Sequence, residues 1–138
     1  MLIRGITMDN INNVMNIQSD VRHFMEKFNK KVYYVPNIPS SDETNLSIYL
    51  IVEEYNELLA ALQNDNLIEI ADGAADLIYV ILYMLNLYGI NLLPIWEAVH
   101  QANMKKCNDI NHFGKIMKPA GWVPPDIKQI LIEQGANL

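Results

Sequence analysis

The chain has 138 residues, of which 51% are hydrophobic and 19% charged, and its formal net charge is -6 at pH 7. A chain of this length and hydrophobicity folds around a core, so intrinsic disorder is excluded and residues 1–138 are expected to form a single domain. The charged fraction is low for a soluble monomer, which indicates that some surface is covered in an oligomer. The acidic balance argues against nucleic acid as a partner, because binding a phosphate backbone requires positive charge.

The sequence also predicts the cellular compartment and whether the chain associates with a membrane. The single cysteine, Cys107, cannot form an internal disulfide, which fits a reducing compartment. The first residues lack the basic and apolar regions of a signal peptide. The apolar run over residues 77–85 is too short to cross a bilayer. We therefore expect a cytoplasmic protein with no membrane partner.

The first half of the chain predicts two helices joined by a proline-containing loop. Apolar residues recur at helical spacing in the first helix; they are Val14, Ile17, Val21, Phe24 and Phe28. Pro36 and Pro39 interrupt helix formation. Ser40 followed by Glu43 forms a capping-box pattern, so a second helix is expected from there to Gln63.

Within residues 50–85, six acidic side chains lie on the second predicted helix and on the third, which runs from about Asn66 to Gly89. These are Glu53, Glu54 and Glu57 on the second helix, and Glu69, Asp72 and Asp76 on the third. Spacings of three and four residues place them on shared helix faces, and the short loop between the helices predicts antiparallel packing. Converging carboxylates repel one another unless a cation neutralises them, and oxygen ligands suit Mg²⁺ or Mn²⁺.

A solvated helix face is the alternative interpretation, and it applies best to Glu53. It is weaker for Asp76, because the apolar run that follows predicts a helix buried all round. An aspartate at the start of such a run is unfavourable unless it is paired or bound to a metal. Gly73, inside the same helix, costs about 1 kcal/mol relative to alanine and suggests a close approach by another backbone or a substrate.

The second half of the chain predicts a fourth helix, an irregular loop and a short final helix. The fourth helix is expected to start near Pro94, to end near Lys106 and to bury Trp96 and Val99. His100, Asn103 and Lys106 would share one of its faces, either as its solvated side or as ligands for phosphate oxygens. The loop that follows contains Lys118 and Trp122, and Trp122 could pin the loop to the body or stack on a base. The last helix is expected over residues 125–133.

Several segments resemble the all-α NTP pyrophosphohydrolases, the MazG-like superfamily. EExxE occurs here as Glu53-Glu54-Tyr55-Asn56-Glu57. The likeness continues in four further segments, in order VRHFMEKF, IEIADGAADLIYVILYMLNLYGI, EAVHQANMKK and KPAGWVPPDI. It covers about residues 14–132, and the ordered set is more specific than EExxE alone.

The resemblance implies a fold, an assembly and an activity. The fold is all-α, an antiparallel bundle of four main helices plus a short C-terminal helix, with a core completed by a homodimer or higher oligomer. The activity is hydrolysis of a nucleoside triphosphate to the monophosphate and pyrophosphate with Mg²⁺ or Mn²⁺.

The resemblance also implies roles for individual residues. Glu54 and Glu57 match the ExxE metal ligands, and Glu54 or Glu53 would position or deprotonate the attacking water. The second motif, ExxD, is ambiguous. Alignment on the apolar run selects Asp76 but leaves Gly73 where Glu is expected, whereas Glu69 with Asp72 satisfies the spacing closer to Glu57. We rank Asp76 and Asp72 above Glu69. Residues expected on the substrate side are Asn103, Lys106, Lys118, Tyr83, Trp122 and Phe24.

Two alternatives to a general nucleoside triphosphate pyrophosphohydrolase stay open. One is a phosphoribosyl-ATP pyrophosphohydrolase from the same superfamily; the C-terminal loop argues mildly against it, and a comparison of substrates would decide. The other is a catalytically silent helical assembly module, whose acids serve solubility. The placement of the acids beside apolar runs disfavours the silent module.

Overall fold

The computed structural model describes residues 8–138, and the side chains of residues 17–138. These residues form five helices and no strand, apart from one isolated antiparallel bridge between Ile110 and Ile116. The helices are α1 (Met8–Lys27), α2 (Ser41–Gln63), α3 (Leu67–Leu87), α4 (Leu92–Met104) and α5 (Ile127–Glu133). The all-α prediction of four main helices and a short C-terminal one is confirmed. That residues 1–138 form one domain stays a prediction.

The α2–α3 hairpin is defined by side-chain caps that the sequence had signalled. Ser40 Oγ accepts a hydrogen bond from the Glu43 N–H at 3.3 Å, and the Ser40 N–H donates to Glu43 Oε2 at 3.0 Å, so the capping box is complete. After α2 the chain turns through Asp65, whose φ is +50°. Asn66 then caps α3 by accepting from the Glu69 N–H at 3.2 Å. The turn is short, so α2 and α3 pack side by side along their length.

The core lies between α1 and α3. It is built from Val21, Met25, Leu82, Tyr83 and Leu87, each at most 7% exposed. Two buried amides cross the same contact, because Gln18 Nε2 donates to Asn86 Oδ1 at 3.1 Å and Asn86 Nδ2 donates to the Gln18 carbonyl at 3.2 Å. Buried amides must be hydrogen-bonded, so this reciprocal pair sets the register of α1 on α3. In addition, α4 packs against α1 and α5 against α4.

Two expectations about burial are wrong for the single chain. Trp96 and Val99, expected to face the core from α4, are 55% and 37% exposed. The apolar run after Asp76 is buried on one side only, because Ile78 is 54% exposed. Most apolar residues of α2 are also exposed, including Tyr49 at 61%. The physical reason is that α2 packs mainly against α3, and one neighbouring helix covers only one face.

The structure bears on the membrane expectation but not on the signal-peptide expectation. The first seven residues lie outside the described part of the chain, and so does the side chain of Val14. Within residues 8–138, no single helix is long and apolar enough to cross a membrane. Helices α3 and α4 meet the length and composition criteria only as a pair, and they are bent by 119° at the break between them. A cytoplasmic location stays a prediction.

Candidate functional site

Glu54 lies on the face of α2 that packs against α3. The less exposed positions of α2 recur at intervals of three and four residues, which defines one helix face; they are Ser47, Leu50, Glu54, Leu58 and Ala61. Glu54 is the acidic side chain at the centre of this face, and Glu43, at its N-terminal end, belongs to the capping box. A carboxylate in the middle of a helix–helix contact loses much of its hydration, so it requires a compensating partner.

Four other carboxylates surround Glu54 and act on its ionisation. Burial raises the pKa of the Glu54 carboxyl above its ordinary value, and the negative charges of Asp76, Glu57, Glu53 and Asp72 raise it further. Glu54 Oε2 is buried and has no hydrogen-bond partner among the described side chains. The predicted convergence of the two carboxylate ladders therefore holds in this structure.

Four of the six acids line an open cleft on the α2–α3 hairpin, whereas Glu53 and Glu54 are not among its lining residues. The cleft has a volume of about 390 Å³ and is lined by Glu57, Glu69, Asp72 and Asp76, together with Ala60 and Gly73. Ala60 was not anticipated, and its i,i+3 spacing from Glu57 was the only signal available. Glu53 lies on the exposed side of α2, where the Tyr49 hydroxyl donates to its Oε1 at 3.5 Å. Asp72 and Asp76 both act on Glu54, whereas Glu69 lines the cleft without such an effect.

The residues at the cleft fit a hard divalent cation by donor chemistry. The donors at the cleft are carboxylate oxygens, the neighbouring Glu54 Oε2 is buried and unpaired, and no ion pair neutralises any of the six acids within the described side chains. As they stand, however, no three Asp, Glu, His or Cys side chains of the described chain are arranged to hold one ion. Ligation would therefore require rotation of the exposed carboxylates toward Glu54, which side chains of this exposure can undergo.

The prediction that Lys106 lies on the fourth helix is wrong. The helix ends at Met104, because the backbone N–H groups of Lys105 and Lys106 close tighter turns onto Ala102 O and Asn103 O. Asn103 is exposed in the last turn, and Lys106 follows in the loop. Neither residue lines the carboxylate cleft.

Trp122 pins the C-terminal loop to α4 in this structure. Its indole N–H donates to the Ala102 carbonyl at 2.7 Å, which supplies a partner for one of the last carbonyls of the helix. Lys118 Nζ lies 4.6 Å and Lys106 Nζ 5.9 Å from the centre of the Trp122 ring. The sequence left pinning and base stacking open, and the hydrogen bond favours pinning. Lys106, Lys118 and Trp122 form one cationic cluster next to the end of α4.

The other two aromatic candidates do not lie at the cleft. Tyr83 belongs to the core and is 7% exposed. Burial and the charge of Glu43 raise the pKa of its hydroxyl. Phe24 packs its ring against Phe28 at 4.9 Å and against Tyr79 at 5.5 Å between ring centres. Neither Tyr83 nor Phe24 lines the cleft with the carboxylates, so the structure does not bring them to that site.

Comparison with known protein families gives one match. A family model described as phosphoribosyl-ATP pyrophosphohydrolase matches residues 21–103, which is more than half of the chain. The matched segment contains the last third of α1, the whole α2–α3 hairpin and nearly all of α4. It includes the six acids and Asn103, whereas Lys106, Lys118 and Trp122 lie beyond it. No curated protein matches the chain.

Proposed function

This chain belongs to the phosphoribosyl-ATP pyrophosphohydrolase family, within the MazG-like all-α NTP pyrophosphohydrolase superfamily, and on that premise we propose that it hydrolyses a nucleoside or deoxynucleoside triphosphate to the monophosphate and pyrophosphate. A pyrophosphohydrolase activity on a nucleotide follows from the family. The triphosphate substrate and a dependence on Mg²⁺ or Mn²⁺ are our proposals. The observation that carries them is the convergence of Asp72, Asp76 and Glu57 on the partly buried Glu54.

Charge explains why an acidic cleft suits this chemistry only with cations present. Triphosphate and carboxylates are both anionic, so they repel each other across an open cleft. Bound Mg²⁺ or Mn²⁺ would offset the negative charge of the triphosphate and of the carboxylates. It would also polarise the oxygens of the phosphoryl group whose phosphorus is attacked. Glu54, Glu57, Asp72 and Asp76 would hold the cations, with Glu69 at the rim of the cleft.

The remaining work belongs to groups that move a proton or hold the substrate. Glu54 or Glu53 would accept the proton of the attacking water. Lys106 and Lys118 would attract the phosphates as point charges, with Asn103 as a hydrogen-bonding neighbour. Trp122 would hold both lysines in place through its ring and its bond to Ala102.

Phosphoribosyl-ATP is the second candidate substrate, because the matched family model carries that description. Both reactions break the same α–β phosphoanhydride bond, so the carboxylate site serves either. The two substrates differ in the part of the molecule on the nucleoside side of the triphosphate.

The deciding experiment measures pyrophosphate release over a panel of nucleoside triphosphates, deoxynucleoside triphosphates and phosphoribosyl-ATP, with Mg²⁺ or Mn²⁺ and with chelator. We expect release from at least one triphosphate and none with chelator. Glu57→Gln and Asp76→Asn should abolish release without changing the helical circular dichroism signal, whereas Glu97→Gln, a charge change on α4, should leave it intact. Full activity in both acid variants would refute the assignment. If no nucleotide releases pyrophosphate, the proposed activity is refuted and the catalytically silent assembly module is the interpretation that stands.

We also propose that the protein is a homodimer or higher homo-oligomer. Exposed apolar side chains lie on three helices of the single chain, with Tyr49 at 61%, Ile78 at 54% and Trp96 at 55%. So many exposed large apolar side chains favour an interface that covers them. A scattering mass that corresponds to one chain at every concentration would contradict the oligomer.

A further inference from the structure

Gly73 marks a point of very close approach between α2 and α3. It is buried, and a Cβ added to it would lie 3.3 Å from the Cα of Leu58, with the Leu58 Cβ at 3.5 Å. The nearest atom is backbone, so it cannot move aside by a change of rotamer. Any side chain at position 73 therefore has to push one helix away from the other.

Backbone conformation does not explain this glycine. Four other glycines of the described chain have positive φ values, but Gly73 lies inside α3 with helical geometry. Glycine at such a position destabilises a helix by about 1 kcal/mol relative to alanine. The lack of a side chain is thus the feature that the structure uses, and what it permits is the contact with Leu58.

The close approach lies among the carboxylates. Gly73 directly follows Asp72 and precedes Asp76 by three residues, and Leu58 directly follows Glu57. Gly73 lines the same cleft as these three acids. The distance between the α2 carboxylates and the α3 carboxylates is therefore fixed beside the place where they would share a cation.

We propose that Gly73 is a positioning residue that sets the helix separation across which the carboxylates of α2 and α3 bind a divalent cation. The inference rests on the proposed metal-dependent function. The carboxylates reach a shared cation by rotation, but the separation of α2 and α3 limits how closely the two sets can approach. Moving the helices apart by a few tenths of an ångström is therefore expected to weaken binding, because coordination distances in metal sites vary by only ~0.2 Å. Gly73 itself contributes no ligand and no contact to substrate.

The test compares Mn²⁺ affinity by calorimetric titration in the wild type, Gly73→Ala and Gly73→Leu, at a temperature at which all are folded. We expect affinity to fall by ~3- to 10-fold with alanine and further with leucine, because ligand distances are displaced progressively. Ala75→Ser is the matched control, because it also adds one heavy atom to α3 but at an exposed position. Its affinity should equal that of the wild type. If Gly73→Leu does not fold, the alanine variant alone decides.

Each outcome separates the positioning role from the proposed function. Wild type that binds no Mn²⁺ refutes the metal site itself. Wild type that binds Mn²⁺, with equal affinity in Gly73→Ala, refutes the positioning role and leaves the metal site standing. Gly73→Ala that changes only its melting temperature would show that Gly73 serves packing alone, which also overturns the proposal.

Discussion

Replacing Glu54 with glutamine should change the stability of this protein in opposite directions with and without metal. Glutamine keeps the shape of the side chain but removes its charge. Without metal, that charge is partly buried among Asp72, Asp76, Glu57 and Glu53, and one of its oxygens has no partner. With metal, the same charge would become a ligand. We therefore expect Glu54→Gln to melt above wild type in chelator and below it in excess Mg²⁺ or Mn²⁺.

The size of each effect follows from the surroundings of Glu54. A like-charge pair on a helix surface costs roughly 0.2–0.5 kcal/mol, so relief from several such neighbours is about 1 kcal/mol. A ligand at one hundred times its dissociation constant stabilises the folded state by about 2.7 kcal/mol, and the variant would lose most of that. Each kcal/mol corresponds to a shift of roughly 3–6 °C in melting temperature for a chain of this length.

The pH dependence of the metal-free difference gives an independent check. Because the pKa of Glu54 is raised in the folded chain, the folded state holds this proton at pH values at which the unfolded chain has released it. The cost of ionising Glu54 is fully present above its raised pKa and disappears below the ordinary pKa of glutamate. The advantage of Glu54→Gln in chelator should therefore be largest at neutral pH and vanish at strongly acidic pH.

The assay is a pair of thermal melts followed by circular dichroism, one in chelator and one in excess Mn²⁺, for wild type and variant. Glu97→Gln is the control, because it removes one negative charge from an exposed position of α4 outside the cleft. It should lie close to wild type in both conditions. If Glu54→Gln is less stable than wild type in chelator, Glu54 has a favourable partner and the argument from an unpaired carboxylate fails.

Three further substitutions test other parts of the structure. Trp122→Phe keeps a ring for the lysines but loses the hydrogen bond to Ala102, so it should cost about 1 kcal/mol by thermal melting and open the loop to protease; unchanged cleavage would argue against pinning. Ser40→Ala should destabilise the fold by about 1 kcal/mol in chemical denaturation, because Ser40 Oγ no longer accepts from the Glu43 N–H; by NMR titration the pKa of Glu43 should stay lowered, because the backbone N–H at position 40, the main cause, is kept and only the smaller hydroxyl contribution is lost. Lys106→Ala should reduce kcat/KM for the best nucleotide by ~10- to 1,000-fold with unchanged Mn²⁺ affinity and melting temperature, and wild-type efficiency would place phosphate binding elsewhere.

Helix limits were predictable where a side chain or a glycine punctuates the chain. Ser40 and Glu43 begin α2, Asn66 caps α3, and Gly89 follows its end with a φ of +69°. These signals are local, so a sequence shows them directly. The end of α4 carries no such signal, because Met104, Lys105 and Lys106 are all acceptable in a helix. The error at Lys106 arose there, at a helix end where the Trp122 indole N–H also donates to the Ala102 carbonyl, a contact between distant residues that no local pattern shows.

Helix faces were harder to predict than helix limits, and the reason bears on the site. Hydrophobicity favours the face of α2 that contains Tyr49, Val52 and Leu59, yet these residues are 61%, 50% and 39% exposed in the single chain. The face that packs on α3 is less apolar and holds Glu54 at its centre. A helix whose most apolar residues lie on its exposed face is stable only if another surface covers them. The proposed second copy would do so, which leaves the inner face of α2 free to hold a buried carboxylate opposite Asp72 and Asp76.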